Sequence, residues 1–246
     1  MRFVLKSQRA LTENVYHMQL TGDATKVSKP GQFVQIQLPD FYLRRPISIC
    51  DWQTGENGTL DLIYKVVGHG TEAMRHMQAG TELDLLVGLG NGFDIAKAEN
   101  EKPLLIGGGV GVPPLYGLCK ALIAAGKKPS VVLGFNTRSE VFWKDEFEAL
   151  GVRVTVTTVD GSMGVKGFVT AAMDGDFDYV YTCGPEPMFK AIDKVLDEKG
   201  VSGQFSFEER MACGFGVCMG CSCQTKYGNK RICKDGPVLV KEEIIW

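Results

Sequence analysis

The sequence predicts a β + α/β chain, with an N-terminal antiparallel barrel, a parallel-sheet domain and a small C-terminal module. Three observations carry that expectation. Short β-patterned runs separated by turns fill residues 1–98, strand and helix patterns alternate through residues 99–208, and cysteines crowd residues 209–246. Five of the eight cysteines, Cys213, Cys218, Cys221, Cys223 and Cys233, fall in that last segment.

In the first segment, residues 34–38 alternate apolar and polar side chains, the period of a half-buried strand. Residues 60–67 and 82–87 are further β-rich runs. Gly22-Asp23, Pro30-Gly31 and Glu56-Asn57-Gly58 punctuate them as turns. Several short strands at this spacing indicate a small antiparallel barrel. Residues 97–103 are charged, lack large apolar side chains and end in Pro103, which marks a boundary.

Beyond that boundary, residues 104–106, 130–134, 152–156 and 179–183 read as strands. Helix-like runs lie between or after them at 115–125, 143–150 and 187–198. Strand–helix alternation with compact turns predicts a parallel sheet flanked by helices. The third segment offers a hairpin around Tyr227-Gly228-Asn229 and is too short to bury its own core, so something else must organise it.

The totals exclude several classes. A net charge of −2 gives no electrostatic case for nucleic acid or an anionic membrane surface. Nothing approaches the roughly 18 apolar residues that span a bilayer, and the N-terminus lacks the apolar core of a secretory signal. The chain reads as cytoplasmic, so its cysteines need a reason other than disulfides.

Cys213-x4-Cys218-x2-Cys221 followed by Cys233 matches plant-type ferredoxin spacing in its first three members. A two-iron, two-sulfide cluster needs four soft thiolates and inward-turned backbone N–H groups, and Gly214, Gly216 and Gly220 permit that close approach. The alternative is a structural zinc knot, although zinc ribbons pair two short hooks rather than a triple and a single. Cys233 returns through the hairpin and is taken as the fourth ligand, with Cys223 as a small buried hydrophobe.

Gly107-Gly108-Gly109-Val110-Gly111 follows a strand and precedes Pro113-Pro114 and a helix. Such a turn sets a pyrophosphate against backbone N–H groups, and the first βα turn of a parallel sheet is where a dinucleotide binds. Its spacing departs from Gly-x-Gly-x-x-Gly, so a packing turn is the alternative. Cys183-Gly184-Pro185 ends another apolar strand at the same ligand-binding edge.

Together with Gly68-His69-Gly70-Thr71, the run Arg45-Pro46-Ile47-Ser48 resembles the ferredoxin–NADP reductase superfamily. The resemblance implies that Arg45 pairs with an FAD pyrophosphate and that Ser48 hydrogen-bonds near flavin N5. Pro46 and Ile47 would lie beside the ring, with Ile47 replacing the tyrosine common in that superfamily. It further places Leu62, Ile63 and Tyr64, and the backbone of Gly70 and Thr71, on FAD. The nicotinamide nucleotide falls to Gly107, Gly108, Gly109, Gly111, Cys183 and Gly184. Adding residues 43–49, 90–93 and 207–214, the whole chain resembles electron-transfer subunits of dihydroorotate dehydrogenase B. That family implies FAD, a [2Fe–2S] cluster and NAD, and a tight heterotetramer with an FMN-containing catalytic subunit in pyrimidine biosynthesis.

Flavin is the natural link in such a chain, because nicotinamide moves two electrons and a cluster one. No residue of this chain is expected to act as a general base, and His17, His69 and His76 are scattered. Met211, Phe215, Met219 and residues 244–246 are read as a docking face for the partner, or, for 244–246, as packing on the chain's own core. Related flavin/iron–sulfur reductases share the domain order and are the nearest alternative; a zinc-binding adaptor on a reductase-like scaffold is the distant one.

Overall fold

Alternation in β1 (Arg2–Ala10) shows why the first segment curls into a barrel: Phe3 and Leu5 are buried while Arg2 and Val4 face outward. The computed structural model describes residues 1–55, 57–98 and 101–246. Glu56 of the expected turn, and Glu99 and Asn100 of the expected boundary, lie outside the described residues. Further strands are β2 (Val15–Gly22), β3 (Phe33–Ile36), β4 (Arg45–Gln53), β5 (Thr59–Lys65) and β6 (Glu82–Leu89). They close antiparallel in the order β1-β2-β5-β4-β3-β6, and β6 returns to β1 through the Phe3–Leu83 pair. Closure removes the exposed edges that an open sheet would present. Phe3, Leu5, Met18, Leu20, Val34 and Ile36 fill the interior.

The second unit comprises β7 (Pro103–Gly108), α2 (Pro113–Ala124), β8 (Ser130–Phe135), α3 (Lys144–Glu148), β9 (Arg153–Thr158), β10 (Val165–Lys166), β11 (Tyr179–Cys183), α4 (Glu186–Lys199) and β12 (Gly203–Ser206). A short helix, α1 (His69–Arg75), precedes them in the barrel. In the C-terminal segment, β13 (Ser222–Thr225) and β14 (Gly228–Arg231) form the hairpin, and β15 (Val238–Val240) follows. The larger sheet runs β10-β9-β8-β7-β11-β12-β15, parallel except that β15 lies antiparallel to β12. The C-terminal segment therefore lends its last strand to the nucleotide sheet, which is how so short a module acquires a core.

Differences from the sequence expectation have local causes. The strands β1, β2 and β4 carry bulges or mixed burial that blur the period-2 pattern. Helix α1 begins at His69, with the Thr71 hydroxyl accepting from Val67 N and Gly68 N. Helix α3 is shorter than 143–150 because Trp143 holds a left-handed φ of 63° at its start. The hairpin turns at Lys226 and Tyr227, one residue earlier than expected.

The two folded units share a close contact. At Gly117, α2 lies so near the barrel that a Cβ there would stand 2.9 Å from the Cys50 carbonyl oxygen. Lys120 on the same helix bonds Asp51 at 2.6 Å. Among the described residues, no helix is long and apolar enough to cross a membrane.

Candidate electron-transfer site

Strand β4 delivers Arg45, Pro46, Ile47 and Ser48 to one wall of a cleft of about 360 Å³. Ile63, Tyr64 and Thr71 complete the barrel side, Val110 of the glycine turn stands opposite, and Ser206 to Glu209, Met211 and Pro237 close the end nearest the cysteines. All three sequence segments thus meet around one cavity. Leu62, expected on the cofactor, is buried in the barrel core and does not line the cleft, whereas its neighbours Ile63 and Tyr64 do.

Arg45 stacks over Phe41 at 4.8 Å, donates to the Leu43 carbonyl and has no acidic partner among the described residues. Gly70 approaches it closely: a Cβ there would fall 2.0 Å from Arg45 Nε. An unpaired guanidinium next to the backbone of a helix's first turn is the donor set a pyrophosphate asks for. Tyr64 is anchored by donating to Gln8 Oε1 at 3.0 Å and stacks on Tyr16. These residues fit FAD.

The glycine turn and the Cys183 loop are pressed together at the carboxyl ends of β7 and β11. A Cβ on Gly111 would meet the Cys183 carbonyl oxygen at 2.2 Å, one on Gly184 would meet Gly108 N at 3.2 Å, and one on Gly107 would meet Val112 and Leu115. Gly109, at φ +53°, has nothing within 4 Å of its Cβ position and leaves that backbone open. Cys183 itself is buried; desolvation, aided by the charge of Glu208, pushes its thiol well up, so it is no nucleophile at neutral pH.

Desolvation raises the Cys213 thiol, but backbone N–H groups of Cys218, Phe215 and Val217 outweigh it and bring it down to about 6. Burial, then the neighbouring Cys221, pushes Cys233 up to about 12, and Cys233 N donates to Cys221 Sγ at 3.4 Å. Cys223, half-buried on β13, pairs across the hairpin with Lys230. Left-handed Gly214 and Gly216, at φ +78° and +88°, bring the loop hard against Gln35 and Lys234. Among the described residues no three His, Cys, Asp or Glu groups converge as ligands of one ion do. A rhomb of two irons and two sulfides is a larger object, and anionic sulfur surrounded by N–H donors is its chemistry.

The comparisons decide the family. The family model described as the iron–sulfur cluster binding domain of dihydroorotate dehydrogenase B matches residues 208–245, and an oxidoreductase NAD-binding domain matches 105–194. A dihydroorotate dehydrogenase B (NAD(+)) electron transfer subunit from Fusobacterium nucleatum is 42% identical, across 95% of this chain and 94% of that one. One of the same name from Lysinibacillus sphaericus is 42% identical, across 96% of this chain and 94% of its own. The chain belongs to the family of dihydroorotate dehydrogenase B electron-transfer subunits. Among solved structures, an NADH-dependent reduced ferredoxin–NADP oxidoreductase matches with TM-score 0.89 and 32% identity, over 99% of this chain and 90% of that one. A ferredoxin NADP+ reductase from Neisseria gonorrhoeae, with bound FAD and NADP, shares the fold at TM-score 0.70 and 15% identity, over 81% and 91% of the two chains.

Within this family's frame, sequence reasoning missed one wall of the cleft. Phe33, Val110, Phe207, Glu208 and Pro237 come from four separate stretches, and of these only Val110, inside the glycine turn, and Phe207 and Glu208, inside the 207–214 resemblance, were signalled in the sequence. The scattered histidines have local partners: His17 bonds Asp61 at 2.7 Å and His76 bonds Glu72 at 3.0 Å. At the C-terminus, Ile244 is buried, while Trp246 stacks on Phe207 and donates to Asp193, which favours packing over docking for both. Phe215, Val217 and Met219 remain exposed on the cysteine loop.

Proposed function

We propose that this chain passes electrons between a separate FMN-containing catalytic subunit and NAD+, through a [2Fe–2S] cluster and FAD, during cytoplasmic oxidation of dihydroorotate. The observation that supports it most directly is the shared cleft. Its walls are drawn from the flavin motif on β4, the glycine turn after β7 and the segment that leads into the cysteine loop. When bound, FAD exchanges electron pairs with nicotinamide and single electrons with the cluster.

The chain's own residues supply position and electrostatics. Arg45 and the backbone at Gly70 and Thr71 hold the FAD phosphates, while Pro46, Ile47, Ser48, Ile63 and Tyr64 line the ring pocket. Gly107, Gly108, Gly109, Gly111, Cys183 and Gly184 shape the nicotinamide nucleotide's surface. Cys213, Cys218, Cys221 and Cys233 ligate the cluster, and exposed Phe215, Val217 and Met219 cover its approach to the partner, in a heterotetramer of two copies of each chain. The units divide at 1–98, 99–208 and 209–246. NADH is preferred to NADPH, and equal reduction rates with the two would remove that preference.

The deciding experiment is an anaerobic visible spectrum of the purified chain. Flavin and iron–sulfur bands are expected to bleach with NADH, and to bleach with dihydroorotate only when the FMN subunit is present. The 32%-identical oxidoreductase structure gives a second reading, a ferredoxin-linked reductase. Bleaching by NADH with no response to dihydroorotate beside an active partner would select it.

A further inference from the structure

Alternation along β3 splits its side chains between two environments. Val34 and Ile36 enter the barrel core, whereas Phe33 joins the apolar group containing Cys221, Ile232 and Cys233. Gln35 leaves the strand on the same face as Phe33. It is fully buried, and neither its amide nitrogen nor its amide oxygen has a hydrogen-bond partner. Among the described residues it is the only side chain in which two buried polar atoms are left so. An unpaired buried amide is costly, so a core position carries one only when something else satisfies it.

The surroundings indicate what that is. A Cβ on Gly214 would lie 2.6 Å from Gln35 Nε2, closer than to any other atom of that side chain, so the NH2 end is turned to the cysteine loop. Gly214 directly follows Cys213 and holds a left-handed φ of +78°. A side chain there would displace the amide, so glycine and glutamine fit as a pair. Of Gln35, the neighbouring guanidinium of Arg44 reaches only the backbone carbonyl, at 3.4 Å; its other bonds go to Asp84. Sulfur in an iron–sulfur cluster accepts hydrogen bonds and donates none, which matches the end of the amide that faces the loop.

We propose that the Gln35 carboxamide donates a hydrogen bond into the sulfur shell of the cluster held by Cys213, Cys218, Cys221 and Cys233, and so raises its reduction potential. The inference rests on the cluster assignment made above. Reduction adds negative charge to the sulfurs, and a buried N–H donor stabilises that form more than the oxidised one. A neutral amide does this without adding a charge to a loop that already carries four thiolates. Gln35 is therefore a positioning and tuning residue, and no proton leaves it.

The test is a redox titration of the cofactor-loaded chain, following the cluster by EPR and the flavin by absorbance. Gln35→Met keeps the length and removes the donor. The cluster midpoint is expected to move to more negative potential, with flavin midpoint and iron content unchanged. Gln35→Leu, which likewise lacks the donor, is expected to move it the same way. A Gln35→Met cluster that titrates like wild type would overturn the proposal, as would a shift confined to the flavin. Absence of any reduced-cluster signal from the wild-type chain would instead sink the cluster assignment itself. Thermal unfolding of the iron-free chain guards against a merely structural role. Without iron the amide has no bond to lose, so Gln35→Met should unfold no earlier than wild type, and a large loss of stability there would also count against the proposal.

Discussion

Cys233 and Cys223 lie ten residues apart in sequence yet occupy different chemical settings. Cys233 is buried, donates from its backbone to Cys221 Sγ and stands among the thiols of the loop, whereas Cys223 faces Lys230 across a hairpin. Replacing Cys233 by Ser is expected to abolish the cluster, read as loss of iron and of its visible bands. Cys223→Ser should keep both, and loss of iron from that variant would exchange the two assignments. Gly70 makes a second residue-scale case. A methyl group there would collide with the Arg45 guanidinium, the free end of a flexible side chain, so the fold can yield where the phosphate site cannot. Gly70→Ala is expected to purify with well under one FAD per chain but an almost unchanged unfolding temperature. Full flavin content would show that Arg45 is not positioned by that contact.

One short connection joins all three parts of the chain. At the end of β6 and just beyond it, Gln32 Nε2 donates to the carbonyls of Gly88 and Gly90, and Phe93 meets Tyr181 edge-on at 5.7 Å. Asn91 Nδ2 donates to the carbonyls of Asp235 and Val238, and Asn91 Oδ1 accepts from Val238 N. These bonds fix the limb running from Cys233 to Pro237, and Pro237 lines the shared cleft. Asn91→Ala removes them and is expected to cost about 2 kcal/mol in chemical denaturation. It should also speed amide exchange at Val238, and unchanged exchange there would refute the anchoring role. This element also shows what sequence reading reaches. Residues 90–93 stood out by resemblance, but partners 144 and 147 positions away left no local pattern to read. Helices α2 and α4 were legible because an apolar face repeats with one period, and the strand β11 because it is an unbroken, fully buried run. The strand β15 was not, since three residues among cysteines and glycines form a strand only by pairing with β12. The cysteine loop was legible because ligand spacing is local; the cleft wall from Phe33 to Pro237 was not, because only the tertiary fold assembles it.

At the scale of the whole molecule, barrel and sheet are held by contacts of unequal worth. The approach of α2 to β4 at Gly117 and the edge contact of His17 with Trp143 at 5.0 Å are packed. The Arg9–Glu146 pair at 3.7 Å is exposed and contributes little. FAD, with walls from the barrel, the glycine turn and the cysteine segment around it, would add contacts to all three at once. A ligand that binds only the folded chain stabilises it by mass action, by about 2.7 kcal/mol when present at 100 times its Kd. The chain stripped of flavin should therefore stay folded, because the packed α2 contact does not depend on the cleft. Its unfolding temperature is expected to fall, then climb with added FAD as the logarithm of the free concentration. Arg45→Ala should flatten that dependence without lowering the flavin-free value, since among the described residues Arg45 has no acidic partner to lose. An unfolding temperature indifferent to FAD in the wild-type chain would mean that the cleft does not couple the three units. A flavin-free chain that unfolds in two separate steps would show instead that the α2 contact alone cannot make barrel and sheet cooperative.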